Sequence, residues 1–224
     1  MTSPTLSLRA FLTLLLLACM FGGNHVAARF AFNDGVDVAT AVTLRSGVSA
    51  LVVGLLVWQQ RVAWTMDRWQ RRVLAAVSVL VAVQSLSLYA AVARLPVALA
   101  LLAFNTWPMW TALWSRLLYR HRPDRRTIIA MPVILLGLAL ALDVFGAASG
   151  LGAQAQWSRI GSGVAFAVLA AASFGLVMVV TQHEIAGIDG RLRSAVTMAV
   201  VGVLALVVAL AQGGLKLPHS PPGW

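Results

Sequence analysis

The sequence predicts an all-α, polytopic membrane helix bundle, laid out as an inverted five-helix repeat with the second repeat incomplete. Three observations predict it. Of the 224 residues, 60% are hydrophobic and only 11% are charged, a composition far from that of soluble domains. The apolar residues gather into seven runs of membrane length. The 17 Lys and Arg, which against 7 Asp and Glu give a net charge of +10, fall mostly in short connections between those runs. There they orient a membrane protein, so no nucleic-acid partner is implied. The partner implied is the lipid bilayer.

The runs are Leu8 to Ala28, Val38 to Val57, Val73 to Ala93, Pro96 to Leu118, Thr127 to Phe145, Gly161 to Thr181 and Ser194 to Gln212. Each has about the 17–25 residues that a bilayer-crossing helix needs. In the first, Arg9 and Leu16-Leu17-Ala18-Cys19 imitate a lipoprotein signal, but six further apolar runs follow, so it is read as a membrane helix. In the fourth, Pro108 has no N–H for the carbonyl of Phe104, and a hinge is expected there. Asn105, one turn earlier, has an amide to offer the freed carbonyl. Trp107 and Trp110 lie near mid-span, away from the interfaces that lipid-facing Trp prefers, and suggest a cavity. Two faces carry small or polar residues at helical spacing. They are Ser78, Ala82, Ser85 and Tyr89 in the third run, and Gly163, Ala167, Ala171 and Gly175 in the sixth. Both are expected to face other helices.

Placing the N-terminus in the cytoplasm puts twelve Lys and Arg inside and five outside, so this is the predicted orientation. Asn24, His25, Arg45, Gln84, Tyr89, Asn105 and Asp143 then share the outer half of the membrane. Polar groups at that depth tend to face a bundle interior or a wet cavity. Arg45 either snorkels to the outer interface or supplies a fixed positive charge to a pocket, paired with Asp143 or attracting an anion. His25 is either a satisfied structural histidine or a proton-coupling group. The expected binding residues are Asn24, Arg45, Gln84, Tyr89, Asn105 and Trp110, with Pro108 as hinge.

A weak internal repeat relates Phe21-Gly22 and Gly35-Val36-Asp37 to Phe174-Gly175 and Gly187-Ile188-Asp189, at an offset of 152 or 153 residues. Five apolar runs separate the copies, and an odd number inverts the second against the first. The predicted division is residues 1–145 for the first repeat, 146–160 for an outer loop and 161–224 for part of a second.

With Phe21 through Val26, Leu44-Arg45, the run from Tyr89 through Pro96, Asn105, Pro108 and Arg125 to Gly137, and Ala172 through Gly175, the chain resembles the EamA-type branch of the drug/metabolite transporter superfamily. The resemblance implies a secondary carrier in the bacterial cytoplasmic membrane, most simply an exporter of small metabolites or drugs by alternating access. The chain departs from the family in two ways. Tyr119-Arg120-His121 stands where an acidic residue often follows the fourth helix, and seven helices are expected where ten are usual. The missing counterparts of helices three to five would begin near position 225, so the chain is read as a truncated carrier. The last two helices should then lie on one flank, with the Gly163–Gly175 face partly uncovered until a second copy or further helices cover it. The rival reading is a non-transporting membrane protein, or a subunit that needs a partner chain. No enzyme, metal or cofactor is expected. Cys19 is the single cysteine, the histidines form no ligand pair, and neither a phosphate-binding loop nor a nucleophile–base pair stands out.

Overall fold

A computed structural model describes residues 7–121, 125–143, 145, 148, 150 and 153–218. Among these the regular structure is helical: α1 (Leu8–Asn33), α2 (Val38–Gln59), α3 (Arg68–Arg94), α4 (Val97–Phe104), α5 (Trp107–Tyr119), α6 (Arg125–Ala141), α7 (Ala153–Glu184) and α8 (Gly190–Ala211). Among the described residues, six stretches are long and apolar enough to cross a membrane, with α4 and α5 together forming one, Val97–Tyr119. The polytopic bundle is as expected, but the fifth run differs. Among the described residues its apolar stretch, Ile129–Ala141, is shorter than a span, and Asp143 beyond it takes a left-handed φ of 48°.

Short polar signals start the helices. Ser7 accepts from the backbone N–H of Ala10 at the head of α1, and Asp37 accepts from that of Thr40 at the head of α2. At α3, Asp67 accepts from Gln70 N–H while the Gln70 side chain accepts from Asp67 N–H, a reciprocal capping box. Asp189 caps α8 through Arg191 N–H. The two copies of the Gly–Xaa–Asp repeat therefore do the same work. Asp37 and Asp189 each cap the next helix, and Val36 and Ile188 are both buried. The side-chain hydrogen bond from Arg191 holds the Asp189 carboxyl down to about 2. A carboxyl depressed on folding stabilises above its unfolded value and loses this effect as pH falls through about 2.

The bundle is built around α3, which contributes to every core cluster: Val73, Leu74 and Val77 at one end, Ala82 and Leu88 at the middle, and Ala91 and Val92 at the other. Its expected interior face is interior, since Ser78, Ala82, Ser85 and Tyr89 are all buried. The largest packing surfaces are α2 on α8 and α3 on α7. This corrects the expectation of two late helices on one flank, because α7 and α8 are the main partners of the first half. The face expected to stay partly open is closed. Gly163, Ala167, Ala171 and Gly175 are buried, Gly163 against Leu95 and Gly175 against the backbone of Trp110 and Thr111. The helices with little packing are α1 and α6, and the Leu-rich half of α1 is exposed apolar surface. Apolar exposure suits a lipid-facing surface as it would not suit a soluble one.

Candidate functional site

The helix break in the fourth run lies nearer the N-terminus than the sequence suggests. α4 ends at Phe104, Asn105 and Thr106 form a turn, and α5 starts at Trp107 with Pro108 in its first turn. A proline there sacrifices no helical hydrogen bond, because first-turn N–H groups have no partner in the helix. Thr106 stabilises the break, its buried hydroxyl donating to the Ala103 carbonyl at 2.8 Å. Asn105 was expected to satisfy the backbone and face the interior, but it is exposed. Trp110 is half-buried and packs with Phe104, Trp107 and Phe174 between α4, α5 and α7. Trp114 donates from Nε1 to the Ala172 carbonyl at 3.0 Å, adding a second tie between α5 and α7.

A cavity of about 350 Å3 lies between α1, α2, α3, α4, α7 and α8. Three of the expected residues, Arg45, Gln84 and Tyr89, line it. Asn24 stands just behind, its Nδ2 donating to the Tyr89 hydroxyl at 3.0 Å. Asn105, Pro108 and Trp110 are not among the lining residues. Arg45 donates from Nη2 to Ser85 Oγ at 3.3 Å, and its guanidinium lies 5.2 Å from the Tyr89 ring centre, within cation–π range. This geometry favours the pocket reading of Arg45 over snorkelling. Asp143, its suggested partner, lies beyond α6, where it accepts from Ala148 N–H.

His25 is the residue that the sequence undervalues. It is 1% exposed and lines the cavity. Its ring meets Phe21 at 4.9 Å and Tyr89 at 5.4 Å, both edge to face. Nδ1 of His25 and Nε of Arg45 are buried without a hydrogen-bond partner among the described residues. Buried polar atoms are nearly always paired, so two unpaired donors or acceptors around one cavity need a reason. The remaining wall is largely apolar, with Val77, Val81, Phe104, Phe174, Val177 and Met198. The repeat offset, applied along the helices, would have found the second wall. Phe21 corresponds to Phe174, His25 to Met178 and Arg45 to Thr197, and all six line the cavity.

Beyond the Thr181 and Arg193 end of this cavity, three helix ends are tied together. Tyr119 of α5 donates to Glu184 Oε1 at 2.8 Å, and Trp69 of α3 donates from Nε1 to Glu184 Oε2 at 3.0 Å. The Tyr119 ring stacks on His183 at 3.9 Å. The Tyr119 that stands after the fourth run thus meets its acidic partner on α7. Glu184→Gln leaves one donor a neutral acceptor and sets an NH2 against the other, and is expected to lower stability. Thermal unfolding of the purified protein in detergent would read this as a lower midpoint, and no shift would mean that the tie is not formed in solution.

Comparison with known proteins gives one match. Residues 8–142 match the model of the EamA-like transporter family. No curated protein matches the chain, and no solved structure does.

Proposed function

This chain belongs to the EamA-like transporter family, and from that premise we propose that it is a secondary carrier that exports a small metabolite by alternating access. Membership makes it a multi-pass membrane transporter. The direction, the mechanism and the site are our reading. The observation that carries it is the cavity, whose walls come from both halves of the chain at the repeat offset: Phe21 with Phe174, His25 with Met178, Arg45 with Thr197. Carriers built from inverted repeats place their substrate at the repeat interface near mid-membrane and rock one repeat against the other. A proton or substrate gradient would drive the cycle. Arg45, Gln84, Tyr89 and His25 bind in this scheme, and Asn24 positions Tyr89. Proteoliposome counterflow with candidate metabolites tests it. Accumulation dependent on the protein is expected, and its absence across metabolite classes would leave the membrane protein without the proposed activity.

The proposed orientation places the N-terminus in the cytoplasm of a bacterial cell, with the α2–α3 connection and the end of α5 on the same side. In a Cys19→Ser background, a cysteine introduced at exposed His121 should react with an impermeant maleimide only after the cells are opened. Labelling of intact cells would reverse the orientation.

A further inference from the structure

Resting on the reading of this cavity as a transport site, we propose that its substrate is a small organic monoanion, with a carboxylate head at Arg45 and His25 and an apolar body against the apolar part of the lining. The cavity is polar in two places, with Thr181, Arg193 and Ser194 of α7 and α8 forming the second. Arg45, His25, Gln84, Ser85 and Tyr89 crowd one part of it. The repeat partners of His25 and Arg45, Met178 and Thr197, carry no charge. The charged residues on the lining are Arg45 and Arg193, both cationic, and no carboxylate is among the described lining residues.

A fixed cation held in low dielectric without a counterion attracts an anion and repels a cation. The unpaired Nε of Arg45 and Nδ1 of His25 are covered in this state, and such a head would engage them once the two side chains turn toward the cavity. Arg45 offers its Nε–H directly, and His25 donates in the tautomer that carries its proton on Nδ1. An arginine uses two parallel N–H groups to take a carboxylate in a fork, and Nη2, at 3.3 Å from a neutral serine hydroxyl, can turn to join Nε in one. A substrate ammonium would meet no acidic partner here, so amines and amino-acid zwitterions are disfavoured against a plain carboxylate. The apolar wall of Val77, Val81, Phe174 and Met198 favours a hydrocarbon or aromatic body.

The test is binding to the full chain in phosphatidylcholine nanodiscs, which hold no anionic lipid to compete. The probes are phenylacetate, benzoate and 4-methylpentanoate, with phenylacetamide, phenethylamine and phenylalanine as neutral, cationic and zwitterionic controls. Phenylacetate should bind about tenfold or more tighter than phenylacetamide, as expected for hydrogen bonds to a charged group. Arg45→Gln should remove that preference and Arg45→Lys should keep part of it. The carboxylate–amide comparison in the unaltered chain stands even if a variant misfolds. Equal binding of the amide, tighter binding of phenethylamine, or no binding by any of the three carboxylates overturns the proposal. Adding anionic lipid should displace phenylacetate only if a lipid headgroup can reach Arg45. Displacement with the tenfold preference intact still supports an anion site, whereas occupation by lipid alone, with no carboxylate preference in its absence, overturns it. Flux in proteoliposomes separates the two readings. Transport of neutral or cationic probes alone removes the anion assignment and keeps the carrier, while selective binding without flux does the reverse.

Discussion

Arg45→Ala is expected to abolish transport while leaving expression and membrane insertion near normal. The side chain makes one hydrogen bond to Ser85 and lies over Tyr89, so its removal from the folded protein costs that bond and a partly desolvated cation–π contact of about 2 kcal/mol. The cavity around it keeps its apolar walls and its Ser78–Thr197 contact. What goes is the fixed charge. Truncating one partner of a buried, hydrogen-bonded charge pair costs about 2–5 kcal/mol or more in binding, so flux should drop by about a hundredfold. The measurement is substrate flux per unit of inserted protein. Unchanged flux would reduce Arg45 to an anchor at the membrane interface.

The second large effect is expected at Gly175. A Cβ built there meets the backbone nitrogen of Thr111 and Cβ of Trp110, each at 2.8 Å. Neither atom is the free end of a side chain, so α5 as a whole must move away from α7. Overpacking of this kind costs typically about 1–3 kcal/mol, and the tie from Trp114 to Ala172 is strained with it. Gly175→Ala should lower the unfolding midpoint clearly, and Gly175→Leu should prevent recovery of folded protein. Gly137→Ala is the control. Nothing lies within 4 Å of its Cβ, and replacing a helical glycine by alanine gains up to about 1 kcal/mol. Equal behaviour of the two alanine variants would contradict the close approach of α5 and α7.

The parts that were readable from the sequence are those governed by position along the chain. Helix starts followed from Asp37, Asp67 and Asp189, which cap as such residues do. Counting along each run put Arg45, Gln84 and Tyr89 at one level, and all three line one cavity. Position around the helix axis was harder. Asn105 is at the right depth and points the wrong way, because the turn at Asn105 and Thr106 resets the rotation of everything before it. The places of α7 and α8 were also not readable. In a membrane, a surface that faces lipid and a surface that packs on another helix are both apolar, so hydropathy does not distinguish α1, which is mostly exposed, from α7, which is largely packed. The information lay in small residues and in the repeat. The Gly163–Gly175 face did mark close packing. Its partners, Leu95 and the Trp110–Thr111 backbone, come from runs that no local pattern connects to it.

The pairing of α2 with α8 and of α3 with α7 also bears on the order in which the molecule can be put together. A ribosome delivers α2 and α3 to the membrane long before their principal partners exist, with the whole of α4, α5 and α6 in between. During that interval Arg45 and Gln84 sit at membrane depth, and Ser46 and Gly47 of α2 have not yet met Gly202 of α8. Arg45 has Ser85 and Tyr89 of α3 to hold meanwhile, and Ser78 has the Leu74 carbonyl of its own helix. These early contacts within the first three helices are a temporary shelter for groups that lipid would otherwise expel. Packing of α2 and α3 therefore waits on α7 and α8, which follow them in the chain and supply their largest contact surfaces.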